Sequence, residues 1–146
     1  MNLGQMLLVM LAVVLFSSIV ITMYNSITVQ IEMATNNVLY TQGVFVADSI
    51  LKRYEAELLS KMISFTAFEA MGNPTSFVVQ PPFEIGDAVY TVSFTTRWSG
   101  PNYEVLIVPD STYVLQECSV TINYGDAPPL EIGIGDAMFK KLHTRL

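Results

Sequence analysis

Residues 6–20 read MLLVMLAVVLFSSIV and are apolar apart from the pair Ser17 and Ser18. No residue from 1 to 31 carries a charged side chain, and the first basic residue is Lys52. A membrane-spanning helix needs about 20 mostly apolar residues. Residues 6–24 come close to that length. Their few hydroxyl groups can lie in a bilayer if they bond back to the helix backbone. We therefore expect a helix that can insert in or cross a membrane.

The residues that follow predict that this helix continues. Proline is absent before Pro74, and mostly apolar side chains recur at steps of three and four, the spacing of one helical face. Gly72 and Pro74 supply a stop signal. A helix over residues 1–72 would extend on the order of 100 Å, too long for one small domain to bury, so its apolar surface needs lipid or copies of itself. The predicted stripe comprises Asn36, Tyr40, Val44, Ala47, Leu51, Tyr54, Leu58, Met62 and Phe65.

The C-terminal half has the pattern of an antiparallel β domain. Turn-forming residues separate segments in which apolar and polar side chains alternate. The predicted strands are residues 76–79, 88–98, 103–108, 113–123 and 130–134. In the second strand one face carries Tyr90, Val92, Phe94 and Trp98. That face is expected to pack on the C-terminal half of the helix. After Asp136 the sequence suits either a short capped helix or a last strand.

These patterns predict an α+β fold in which a long N-terminal helix packs, by its C-terminal half, on a small antiparallel sheet. The 146 residues divide into an apolar helical half (1–31), an amphipathic helical half (32–72) and a β-rich globular domain (73–146). Hydrophobic residues make up 51% of the chain and charged residues 14%, which is an unusually apolar balance for a soluble domain.

Charge and motif content argue against several functional classes. The net charge is -6 and the acidic residues are scattered, so no basic surface is expected to bind nucleic acid. We find no catalytic constellation, phosphate-binding loop or metal-ligand spacing, and expect neither enzymatic activity nor a cofactor. The one cysteine, Cys118, excludes an internal disulfide and is expected to be a buried thiol. The basic residues Lys140, Lys141 and Arg145 suit a solvated tail or a subunit contact.

The N-terminal sequence MNLGQMLLV, continuing into an amphipathic helix and then a β-rich domain, resembles the mature type IV pilins and pilin-like proteins. The resemblance implies processing by a prepilin peptidase, residence in the cytoplasmic membrane, and export by an assembly machine into an extracellular filament. The chain's main partner would then be itself. The subunit-interface residues implied are Met1, Gln5, Met6, Leu7, Val9, Leu11, Val13, Val14, Phe16, Val20, Tyr24 and Gly43.

The sequence departs from the usual pilin pattern at three points. Gln5 stands where the family usually has glutamate, and an amide can accept a hydrogen bond from a neighbour's ammonium group but cannot neutralise it. Gln5 equally suits a polar residue near a membrane interface. The helix lacks a proline near residue 22, and the usual C-terminal disulfide is absent. Gly43 suits a close helix–helix approach or a glycine that the helix merely tolerates.

Two functions of different class follow from these patterns. The first is a major structural subunit of a helical, type IV pilus-like filament at the cell surface, polymerising through its apolar helix. The second is a membrane-tethered pseudopilin or minor accessory protein of a secretion or assembly apparatus. The sequence leaves open whether such a filament serves adhesion or motility.

Overall fold

The computed structural model describes residues 2–106 and 112–145, and it confirms the α+β fold class. Helix α1 spans Leu3–Leu59 and helix α2 spans Phe65–Met71. Internal contacts divide the chain into two units, Met1–Val38 and Leu39–Leu146. The described strands are β1 (Phe77–Val78), β2 (Phe83–Ile85), β3 (Ala88–Ser99), β4 (Tyr113–Tyr124), β5 (Leu130–Ile132) and β6 (Lys140–Thr144), with a short 3-10 helix, Ala137–Phe139, before β6.

Strands β3 and β4 form the centre of one antiparallel sheet. They pair along their whole length, from Ala88 opposite Tyr124 to Ser99 opposite Tyr113. Strands β1 and β2 pair with the free edge of β3, and β5 and β6 pair with the free edge of β4. Each outer edge of the sheet is therefore built from two short strands.

One face of the sheet is buried, as the alternation in β3 predicts. Tyr90, Val92 and Phe94 are buried and confirm the predicted inward face, whereas Trp98 is only half-buried. Thr96 has the same orientation and is also buried, and its hydroxyl donates to the Glu69 carbonyl at 2.8 Å. A buried hydroxyl is tolerated there because this hydrogen bond satisfies it.

Residues 39–59 of α1 cover this buried face, which confirms that the C-terminal half of the helix packs on the sheet. The Tyr54 ring meets the Phe94 ring edge-on, with centroids 4.9 Å apart. The buried residues of the helix are Leu39, Gly43, Val46, Ala47, Ile50, Leu51 and Tyr54. The predicted stripe is thus confirmed at Ala47, Leu51 and Tyr54 but is wrong at Asn36, Tyr40 and Met62, which are exposed.

The predicted helix to residue 72 is wrong at its end, because α1 stops at Leu59. The Met62 amide donates to the Glu57 carbonyl at 3.0 Å and the Lys61 amide to the Leu58 carbonyl at 3.1 Å, the paired bonds of a Schellman motif. Lys61 holds the left-handed position of that motif, with φ 58°. Glycine usually takes this position, so a lysine there provides no stop signal in the sequence.

Helix α2 begins after this break and closes one end of the core. The Ser64 hydroxyl caps it by accepting from the Ala67 amide at 3.2 Å. Phe68 is fully buried and packs near Phe94, with ring centroids 6.1 Å apart. Phe68 therefore fixes α2 to the domain.

Several predicted strand boundaries also need correction. Strand β2 was not predicted, because its three residues lie between two turn signals. Of the predicted strand 103–108, Val105 forms an isolated bridge with Ser99, and residues 107 and 108 lie outside the described residues. The last predicted strand ends at Ile132, since Gly133 has φ 98°. After Asp136 both alternatives occur in part, as a capped 3-10 turn and then β6.

Replacing Lys61 by glycine should stabilise the folded unit. A residue with a Cβ atom in the left-handed region costs about 1–2 kcal/mol, and glycine removes this cost while adding freedom to the unfolded chain. We expect Lys61→Gly to raise the free energy of unfolding by about 0.5–1 kcal/mol. Denaturant unfolding in detergent micelles, followed by the fluorescence of Trp98, would measure the change. Lys61→Ala is the matched control, because it removes the charge but keeps the Cβ atom; an equal gain in both variants would contradict the explanation.

Candidate functional site

Within the N-terminal unit, residues 3–31 form a mostly apolar helical segment with no charged side chain. Every described residue from 2 to 34 is exposed. Large apolar side chains point outward all around the helix, for example Leu8 and Phe16 at 69% exposure each. Because an α-helix already satisfies its backbone groups, the unmet requirement of this segment is a non-aqueous environment for its side chains.

Two threonine hydroxyl groups in this segment bond back to the helix. The Thr22 hydroxyl donates to the Ser18 carbonyl at 2.8 Å, and the Thr28 hydroxyl donates to the Tyr24 carbonyl at 3.0 Å. Such bonds lower the cost of placing a hydroxyl in an apolar medium. By length and composition, α1 is the one helix among the described residues that is able to cross a membrane.

Most of the predicted subunit-interface residues lie on this exposed surface. The exposed members are Gln5, Met6, Leu7, Val9, Leu11, Val13, Val14, Phe16, Val20 and Tyr24. Met1 lies outside the described residues. These side chains are distributed over all faces of the helix, so the segment offers apolar contact in every direction rather than along one stripe.

Gln5 has a contact that the sequence analysis did not consider. Its Oε1 atom accepts a hydrogen bond from the Asn2 amide at 3.3 Å, while the Asn2 carbonyl accepts from the amides of Gln5 and Met6. This is one half of a capping box, in which a side chain three residues into the helix returns to the capping residue. The side-chain Oε1 atom of Gln5 thus accepts a hydrogen bond from the first turn of its own helix.

Gly43 differs from the other predicted interface residues because it lies inside the folded unit. A Cβ atom at this position would collide with the Ile132 Cδ1 atom and would lie 3.1 Å from the Ile122 Cδ1 atom. The missing side chain allows α1 to approach β4 and β5 of its own sheet. The close approach at Gly43 is thus between α1 and the sheet of the same copy.

The folded unit contains an open cleft of about 470 Å³ between the end of α1, the turn that follows it and β6. We call it the His143 cleft. Its apolar lining consists of Leu58, Leu59, Ile63, Phe65 and Leu142, and its polar lining of Glu55, Lys61, Ser64, His143 and Thr144. The sequence analysis missed this cleft, because its lining comes from segments about 80 residues apart whose contact no local pattern reveals.

His143 is buried beside the cleft rather than solvated in a tail. Only 5% of the residue is exposed, and a ring nitrogen lies 2.8 Å from the Gln116 Oε1 atom. Burial lowers the pKa of His143 to about 4; the positive charge of Lys141 acts in the same direction and Glu55 opposes it. The imidazole is therefore neutral near pH 7.

Two of the predicted tail cations are bound within the folded unit. Lys141 pairs with Glu55 across the helix–sheet contact, and Lys140 pairs with Glu117 at 2.9 Å. Arg145 lies over the Phe65 ring, 5.2 Å from its centroid. The interpretation of a solvated tail is thus wrong for the two lysines, because β6 places them beside acidic residues.

Cys118 is buried, as expected, and burial raises the pKa of its thiol to about 12. The reactive thiolate is accordingly scarce at neutral pH. Among residues 2–106 and 112–145, no three His, Cys, Asp or Glu side chains come together as a metal site.

Comparisons of the chain with protein-family models, curated protein sequences and solved structures found no match.

Acidification should weaken the folded unit through His143. Between pH 6.5 and about 4 the unfolded chain binds a proton that the folded chain does not, so stability falls as the pH is lowered through this range. The full loss corresponds to about 3 kcal/mol. Denaturant unfolding at pH 7.5 and pH 4.5 would measure it. His143→Gln, which does not titrate, should lose correspondingly less stability; parallel losses in the two proteins would contradict the role of His143.

Proposed function

We propose that this chain is a structural subunit of a helical filament at the cell surface, of the type IV pilin-like class. In this proposal the subunit waits in the cytoplasmic membrane after processing by a prepilin peptidase. An assembly machine then extracts it, and the N-terminal helices of many copies pack together as the filament core. The observation that supports this most directly is the exposed, uncharged helical segment of the N-terminal unit.

The N-terminal segment exposes apolar side chains on all faces of the helix. This favours a helix that functions while surrounded by lipid or by other helices. A surface helix of a soluble protein shows an apolar stripe and a polar face, whereas a helix that is apolar all round belongs in a membrane or among other helices. Leu8, Phe16 and Tyr24 are each exposed by more than two thirds of their surface. The same segment would suit lipid before assembly and sister helices afterwards.

The transfer from lipid to sister helices changes the hydrophobic energy little, because lipid tails are as apolar as the side chains they surround. Packing and repetition must then supply the stability of the filament. When identical copies contact each other through two different surfaces, the rotation between neighbours decides the assembly. If that rotation does not bring the last copy back to the first, the copies form a fibre instead of a ring. A long apolar helix repeated in every copy supplies many such contacts.

The Gln5 contact is consistent with an assembly that does not depend on a charged pair at this position. The Oε1 atom caps its own helix, so registration of neighbouring copies would rest on the packing of residues such as Val9 and Val13. The amide group of Gln5 keeps its N–H donors for a neighbour or for the membrane interface.

Electron microscopy of material sheared from cells that make this chain tests the proposal. Fibres that contain the chain, identified by mass spectrometry, are the expected result. The alternative, a membrane-tethered pseudopilin or accessory protein, predicts that the chain stays in the membrane fraction while any fibres consist of another protein. That outcome would overturn the proposal.

Enlarging a side chain in the apolar segment should separate assembly from membrane residence. Val13→Trp stays apolar and should insert normally, but overpacking costs about 1–3 kcal/mol at a packed contact. We expect it to reduce fibre mass by roughly fivefold or more, since each 1.4 kcal/mol is a factor of ten in association. Ile85→Trp, at an exposed site in β2, is the control and should leave fibres unchanged. Normal fibres from Val13→Trp would argue against tightly packed helices at Val13.

A further inference from the structure

The folded unit carries two large apolar side chains that are mostly exposed to solvent. Ile134 is 77% exposed and Met138 is 63% exposed. Gly133 and Gly135, both with positive φ, flank Ile134, and Asp136 caps the 3-10 turn that carries Met138. We call Ile134 and Met138 the apolar projection. Two such side chains on one structured turn form a candidate surface for a protein contact.

The apolar projection and the His143 cleft lie at opposite ends of the packed part of α1. Near the projection, the Tyr40 hydroxyl donates to an Asp136 carboxylate oxygen at 3.4 Å. The cleft, in contrast, is lined by Leu58 and Leu59 at the end of the helix. At 1.5 Å per residue, Tyr40 and Leu58 are roughly 27 Å apart along the helix. Because of this separation, the apolar projection and the His143 cleft cannot meet within one copy.

The two surfaces also differ in charge. The segment that bears the projection, residues 130–139, contains Glu131 and Asp136 and no basic residue. At the cleft, Lys61 belongs to the lining, and Lys141 and Arg145 lie on either side of the lining residues from β6. Glu55 is the one acid among the lining residues, and it pairs with Lys141. An acidic segment thus matches a cleft with surplus positive charge, which favours this pairing over two projections or two clefts.

We propose that the apolar projection of one copy docks in the His143 cleft of a second copy. Leu58, Leu59, Ile63, Phe65 and Leu142 would receive Ile134 and Met138, and Lys61 would face the acidic segment of the incoming copy. This inference rests on the proposed filament function and adds the contact that the folded units make. Because the two surfaces are different, each added copy presents a new free projection or a new free cleft, and the contact propagates.

Cross-linking in assembled fibres tests this contact. The double variant Leu59→Cys with Ile134→Cys places one thiol at the cleft and one on the projection, both at exposed sites. The native Cys118 is buried and stays unreactive. Treatment of fibres with a short bismaleimide should shift most of the chain from monomer into a ladder of dimers, trimers and larger species on a denaturing gel.

Three controls define the result. Detergent-solubilised monomers of the same variant should give no ladder, and neither single-cysteine variant should give species beyond a dimer. The pair Leu59→Cys with Ile85→Cys, whose second thiol lies on the β2 edge, should also give none. Normal fibres of the double variant without a ladder would overturn the inference and leave the filament function standing. Absence of fibres from the unmodified chain would overturn both.

Discussion

The structure depends on one constraint: the uncharged first half of helix α1, residues 3–31, needs surroundings other than water. The backbone of α1 is satisfied within the helix, and Thr22 and Thr28 return their hydroxyl groups to it. What remains is apolar side-chain surface, and each large apolar side chain gains about 1.5–3 kcal/mol when it leaves water. More than ten such residues lie between positions 6 and 20. Their combined cost in water exceeds the stability of a typical domain, so the segment requires lipid or protein around it.

The second half of α1 buries its apolar side chains within the same chain. From Leu39 onward the helix buries a stripe against its own sheet, and Gly43 brings the backbone close enough for Ile132 and Ile122 to fill the contact. Gly43 was expected at a subunit contact because a glycine in an apolar helix is typical of helix–helix packing. The missing side chain of a glycine allows a close approach to a sheet as well as to a helix. Only the tertiary structure shows which of the two packs against Gly43.

The sequence predicts those features that local periodicity encodes. The first half of α1 follows from an uninterrupted apolar run, its second half from a repeat of 3.6 residues, and the buried face of β3 at Tyr90, Val92 and Phe94 from a repeat of 2 residues. The end of α1 does not, because Lys61 adopts a conformation that glycine would have signalled. The burial of His143 was equally hidden. It depends on the pairing of β6 with β4 and on Phe68 from α2, whose ring centroid lies 5.1 Å from the imidazole.

In the proposed filament, the two units would have complementary parts, because they would make their contacts in different solvents. Helices that leave lipid for one another gain little hydrophobic energy, so the N-terminal unit would lower the cost of assembly without driving it strongly. The folded units would meet in water, where each square ångström of apolar surface buried contributes roughly 25 cal/mol. A few exposed side chains such as Ile134 and Met138 can therefore add more net stability per contact than a larger helical surface. In this proposal the folded unit also supplies the specificity of assembly. A helix that is apolar on all faces distinguishes its neighbours by shape alone. The charges around Lys61 and Asp136, in contrast, distinguish one surface of the folded unit from another.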